Sequence, residues 1–140
     1  IKRADFVFID DYAHHPTEID AAFQAVSEMH PGKTVLAVFQ PHLFSRTRDF
    51  VDEFARSLSN FKSLLLLDIY PAREKPIEGV TSQWLLDKVT SPTKKLITKS
   101  ELISEIIAQK PDVLITLGAG DIGLEVPKIK KELDLVDNRL

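Results

Sequence analysis

The residues able to do chemistry in this chain gather in four short polar segments. The first runs Asp10-Asp11-Tyr12-Ala13-His14-His15-Pro16, with two carboxylates, a phenol and two imidazoles in succession. A carboxylate in such a loop accepts hydrogen bonds from ribose hydroxyls. An imidazole bonds a phosphate oxygen or stacks on a base. His14 and His15 make a poor metal pair, because adjacent side chains diverge in a loop and no third His or Cys is close in sequence, so no metal site is expected here. The competing reading is a polar loop that only caps the following helix. Capping alone leaves two adjacent imidazoles unexplained.

The second segment, Gln40 to Arg48, contains His42, Arg46 and Arg48. A guanidinium is a planar fork that grips a carboxylate or phosphate through two bonds, and a helix start adds backbone N–H groups favourable to an anion. The segment reads as an anion clamp. Alternatively, its arginines pair with Asp49, Asp52 or Glu53 on a solvated helix. The third segment holds Tyr70, Arg73 and Glu74 in a loop stiffened by Pro71, Pro76 and Gly79. That loop is longer than most connections, which favours a functional use over a plain surface loop. The fourth spells G-x-G-x-x-G with Gly118, Gly120 and Gly123. A dinucleotide site also needs a full strand–helix–strand unit and an acidic residue about 20 positions on. Only 17 residues follow Gly123, so NAD is discounted. Close backbone approach to a phosphate at Gly118 and Gly120, or a simple tight turn, both remain open.

The elements that must position these segments alternate. Strands are predicted at 5–9, a buried run, at 34–39, at 63–69, apolar enough to be central, at 95–98, a short one, and at 112–117, each followed by a helical pattern. The first helix is expected to be capped by Thr17 and to bury Ile19, Ala22, Phe23, Val26 and Met29. One helix is expected to carry Phe50, Phe54 and Leu58 on one side. Later helices are expected to open at Thr81 or Ser82 and at Ser100, and a tail helix to run from about 121. Five strand–helix units predict an α/β domain with a mostly parallel sheet covered on both faces. Ligands then bind beyond the carboxyl ends of the strands, where all four polar segments fall.

Bulk properties agree. A chain of 140 residues that is 44% hydrophobic suits one domain, residues 1–140. Its 18 basic and 21 acidic residues give a net charge of −3 with no basic block, which argues against nucleic acid. There is no cysteine, compatible with a cytoplasmic setting, and no apolar run long enough to span a membrane. A first residue other than Met, just ahead of a strand-like run, reads as a domain cut from a longer chain. No P-loop motif is present, so ATP use would draw that element from another domain.

Taken in order, the segments 10–19, 39–50, 70–80 and 117–123 resemble the C-terminal domain of the Mur ligases over nearly the whole chain. The likeness is greatest to the branch that joins L-alanine to UDP-N-acetylmuramate. It implies a Rossmann-like three-layer sandwich that closes over ATP and the amino acid. It also implies partner N-terminal and central domains, the central one holding the P-loop and most of the Mg2+ site. By position, Asp11 resembles the residue on the ATP ribose and Tyr12 the one near adenine. His14 resembles a catalytic imidazole near the reacting phosphate. His42 and Arg46, with Arg48, resemble the residues that receive the alanine carboxylate. His15, Glu74, Gly118 and Gly120 lie in the same motifs as further candidates. Two positions depart from the pattern: Leu43 stands where Arg is common, and Arg73 where a small residue is. The alternatives are a related ligase that recycles a murein tripeptide, a dinucleotide-binding module using the glycine segment, and an interaction domain without a ligand.

Overall fold

A computed structural model describes residues 6–138. Five strands form one sheet: β1 (Val7–Asp11), β2 (Val35–Phe39), β3 (Ser63–Leu66), β4 (Thr93–Leu96) and β5 (Val113–Leu117). Their order is β1-β5-β2-β3-β4 and every pairing is parallel. All five carboxyl ends therefore lie along one edge. β5 is buried at every position, as a central strand covered on both faces requires. β4 is the exposed edge, and its two lysines discourage pairing with another chain.

The helices are α1 (Pro16–Met29), α2 (Phe44–Asp49), α3 (Val51–Leu58), α4 (Ser82–Lys88), α5 (Leu102–Gln109) and α6 (Val126–Asn138). One face of the sheet packs α1, α3 and α4 through Ile19, Val26, Phe54, Leu58 and Leu85 against Phe39, Leu64 and Ile115. The other packs α5 and α6 through Leu102, Ile106 and Ile129 against Leu36, Val38 and Leu114. This is the expected α/β three-layer sandwich.

Several local expectations needed correction. Residue 5 of the first predicted strand lies outside the described residues. β1 extends to Asp11, because Asp10 and Asp11 stay in register with Thr116 and Leu117. Thr17 does not cap α1. The cap position is His15, with Pro16 as the first helical residue, where a missing N–H costs nothing. Glu18 then accepts bonds from the backbone N–H groups of His14 and His15, both at 3.1 Å. Met29 is 69% exposed, beyond the apolar stripe. The helix expected to include Phe50 is two helices, broken at Phe50, so that α3 can bury Phe54 and Leu58 while α2 stays on the rim. Thr81 does cap α4, accepting from Trp84 N at 3.0 Å. The predicted Ser100 cap falls instead at Thr98, ahead of a 3-10 turn over Lys99–Glu101.

Candidate functional site

The first, second and third polar segments meet at the carboxyl edge through a row of rings. Tyr12 lies 5.5 Å from His14, His14 lies 6.2 Å from His42, and His42 lies 5.5 Å from Tyr70, measured between ring centroids. Three parallel strands deliver these rings, with β5 between the first and second: β1 ends into Tyr12 and His14, β2 into His42, and β3 into Tyr70. Arg46 joins the row from α2, with Nη1 3.5 Å from the His42 carbonyl oxygen. His14 and Arg46 thus both lie close enough to His42 to act electrostatically on its imidazole.

Each predicted residue has a definite environment. Asp11 bends the chain by accepting from Ala13 N at 2.8 Å. Tyr12 is 70% exposed, with only the edge-on His14 ring beside it among the ring contacts of the described residues. The His14 Nδ1 sits 3.0 Å from the Tyr12 carbonyl oxygen. A carbonyl only accepts, so Nδ1 holds a proton in that bond and the neutral ring has its lone pair on Nε2. His15 packs edge-on against Phe50 at 5.4 Å. Arg48 is drawn to Asp49, with Nε 2.9 Å from Oδ1, which is the alternative that its sequence context offered. Glu74 reaches across from the third loop to accept from both the backbone N–H and the hydroxyl of Ser45. These bonds hold its carboxyl below the ordinary range and pin the start of α2.

His42 is half-buried, and its Nδ1 is buried with no hydrogen-bond partner among the described residues. Burial lowers its pKa below the ordinary 6.5, and the positive fields of Arg46 and His14 lower it further against an opposing effect from Glu74. The ring is therefore held neutral. The next residue, Leu43, has φ 76°, a costly conformation for a side chain with a Cβ. It is held there by its N–H bond to the Tyr70 carbonyl at 2.8 Å and by its own carbonyl, which accepts from Thr47 N and Oγ1. Strain of this kind concentrates at functional sites.

The glycine segment follows β5 at the same edge. Gly118 has φ 147°, and a Cβ there would lie 3.0 Å from the Gln40 carbonyl oxygen. A 3-10 turn (Asp121–Leu124) and α6 follow, and among the described residues no strand comes after β5. The strand–helix–strand unit of a dinucleotide site is therefore not formed there. A cavity of about 300 Å³ opens at this edge, lined in part by Gln40, Tyr70, Ile97, Lys99 and Asp121. The roles of Gln40, Lys99 and Asp121 were not read from the sequence. Gln40 stands two positions before His42, which was the available signal; Lys99 offered none.

A family model described as "Mur ligase, glutamate ligase domain" matches residues 1–120. The chain belongs to the Mur ligases. The UDP-N-acetylmuramate–L-alanine ligase of Flavobacterium johnsoniae is 63% identical to this Mur ligase domain over 134 residues, covering 96% of the chain and 30% of that protein. The domain thus spans about 30% of the length of such curated relatives. The UDP-N-acetylmuramate–alanine ligase of Thermotoga maritima superposes with a TM-score of 0.72 at 22% identity, over 92% of this chain and 27% of its own. A murein peptide ligase of Psychrobacter arcticus does so at 0.68 and 17%, over 91% and 27%. The last two establish the shared fold of the Mur ligase domain.

Proposed function

We propose that residues 1–140 are the single C-terminal domain of a three-domain cytoplasmic ligase that uses ATP to join L-alanine to UDP-N-acetylmuramate in peptidoglycan synthesis. The observation that carries this reading is the 63% identity, over 96% of the chain, to a ligase named for that reaction. The rim geometry supports it. Asp11 and the exposed Tyr12 receive the ribose and adenine of ATP. Arg46 and the neutral His42 take the alanine carboxylate, the first with charge and the second with a hydrogen bond. Arg48 is the weaker contact, since it would exchange Asp49 for the substrate.

ATP converts the muramate carboxyl to an acyl phosphate. The alanine ammonium must lose a proton before its nitrogen attacks that carbon, and His14, with Nδ1–H committed to the Tyr12 carbonyl, offers Nε2 to accept it. The tetrahedral intermediate then expels phosphate. Holding amine and acyl phosphate together supplies much of the rate, a task suited to a closing domain. Among the described residues no group of three His, Asp or Glu side chains is placed to hold a metal. Magnesium and the P-loop are assigned to the central domain. Among the described residues no helix is long and apolar enough to cross a membrane.

The test is ADP formation by the full-length protein with UDP-N-acetylmuramate, comparing L-alanine with the murein tripeptide. Saturable turnover with L-alanine is expected. Turnover with the tripeptide alone would reassign the protein to the recycling branch, which shares this fold.

A further inference from the structure

The glycine segment has the spacing of a phosphate loop, yet its space is filled by side chains of its own fold. A Cβ on Gly120 would lie 2.7 Å from Gln40 Oε1 and 2.7 Å from both Cβ and Cγ of Tyr70. Tyr70 therefore rests against the bare Gly120 backbone. The same tyrosine brackets His42. Its N–H donates to the Pro41 carbonyl and its carbonyl accepts from Leu43 N–H, both at 2.8 Å. Its ring stands edge-on to the imidazole, at 76°. Gln40, 3% exposed, locks the glycine segment from the other end. Its Nε2 donates to Asp121 Oδ1 at 2.6 Å, and its Oε1 accepts from Ile122 N at 2.8 Å. Lys99 takes the second oxygen of Asp121. A buried amide with both ends engaged has one orientation that satisfies it, so the position of the segment is fixed.

We propose that Gln40 is a positioning residue for the amino-acid site: by locking Asp121 and Ile122 it holds Gly120 under Tyr70, and Tyr70 fixes the His42 imidazole. This rests on the reading of His42 as a contact to the substrate carboxylate. Gly120 is then required by packing against Tyr70.

Gln40→Glu keeps the volume and the acceptor for Ile122 but sets a carboxylate against that of Asp121, and like charges at such a distance repel. In the full-length enzyme it is expected to raise the KM for L-alanine on the order of tenfold, as a misplaced binding group does. The KM values for ATP and UDP-N-acetylmuramate should stay within about twofold of wild type, since their contacts are untouched. Adding Asp121→Asn returns a donor to the new carboxylate and leaves an oxygen for Lys99, so the double variant should regain the wild-type KM for L-alanine. A purely structural role would raise all three KM values together and give no such rescue. If Gln40→Glu does not accumulate folded, Tyr70→Leu decides: it removes the ring from the half-buried rim and must raise the L-alanine KM alone. A wild-type L-alanine KM in either folded variant, or a parallel rise in all three constants, overturns the inference. Wild-type enzyme run alongside separates the two ideas: if it uses only the tripeptide, the substrate reading falls and the same comparison is made on the tripeptide KM.

Discussion

His42 shows how a side chain's surroundings set its chemistry. Its neighbours from every packed segment are His14 after β1, Arg46 on α2, and Tyr70 and Glu74 after β3. Loss of water first, then the Arg46 charge and the repulsion a protonated His14 would add, outweigh the single carboxylate, so the imidazolium is disfavoured. The sign for stability follows. A histidine whose folded pKa lies below its unfolded value binds fewer protons when folded. Its contribution is intact above the ordinary 6.5 and erodes as pH falls from there toward the folded value. We predict that at pH 6.5 His42 remains mostly neutral, where a free imidazole is half charged. Imidazole nitrogen and carbon shifts across a pH series check this. A midpoint at or above 6.5 would refute it. One consequence is that Arg46, not His42, supplies the charge for a bound carboxylate.

Among the elements, Thr81 and Thr17 differ in what they do for their helices. Thr81 accepts the Trp84 N–H, so Thr81→Ala should lower unfolding free energy by about 1 kcal/mol. Thr17 is exposed within the first turn of α1, so Thr17→Ala should stay within about 0.5 kcal/mol of wild type. Denaturant titration of both variants checks the contrast, and equal losses would contradict it. The sequence showed the strands well, because Leu64 to Leu67 and Val113 to Leu117 are apolar runs that only a doubly covered sheet accommodates. It misled at the first helix start, where Thr17 has the right side chain for a cap but Pro16 as the first helical residue sets the cap two residues earlier, at His15. The break at Phe50 was also hidden. Helical periodicity continues through it, since Phe50, Phe54 and Leu58 keep the spacing of one helix face although the Phe50 backbone leaves the helical region at φ −122°.

For the whole molecule, five parallel strands send their following loops to one edge, and that topology brings residues as distant in sequence as Asp11, His42 and Tyr70 together. The convergence of three polar segments was legible from strand–helix alternation alone. The Gln40–Asp121–Lys99 linkage was not, since its members lie 22 and 81 positions apart and only the order β5-β2-β3-β4 makes them neighbours. In the proposed reading this rim completes its site against other domains; the chain itself spans about 30% of the length of its curated relatives. The most direct test of that rim is the kinetics of Arg46→Ala in the full-length enzyme. Loss of one charge-assisted carboxylate contact should raise the KM for L-alanine by about 10- to 100-fold while leaving that for ATP near wild type. An unchanged L-alanine KM would mean that the carboxylate binds elsewhere and that the rim does not hold the amino acid.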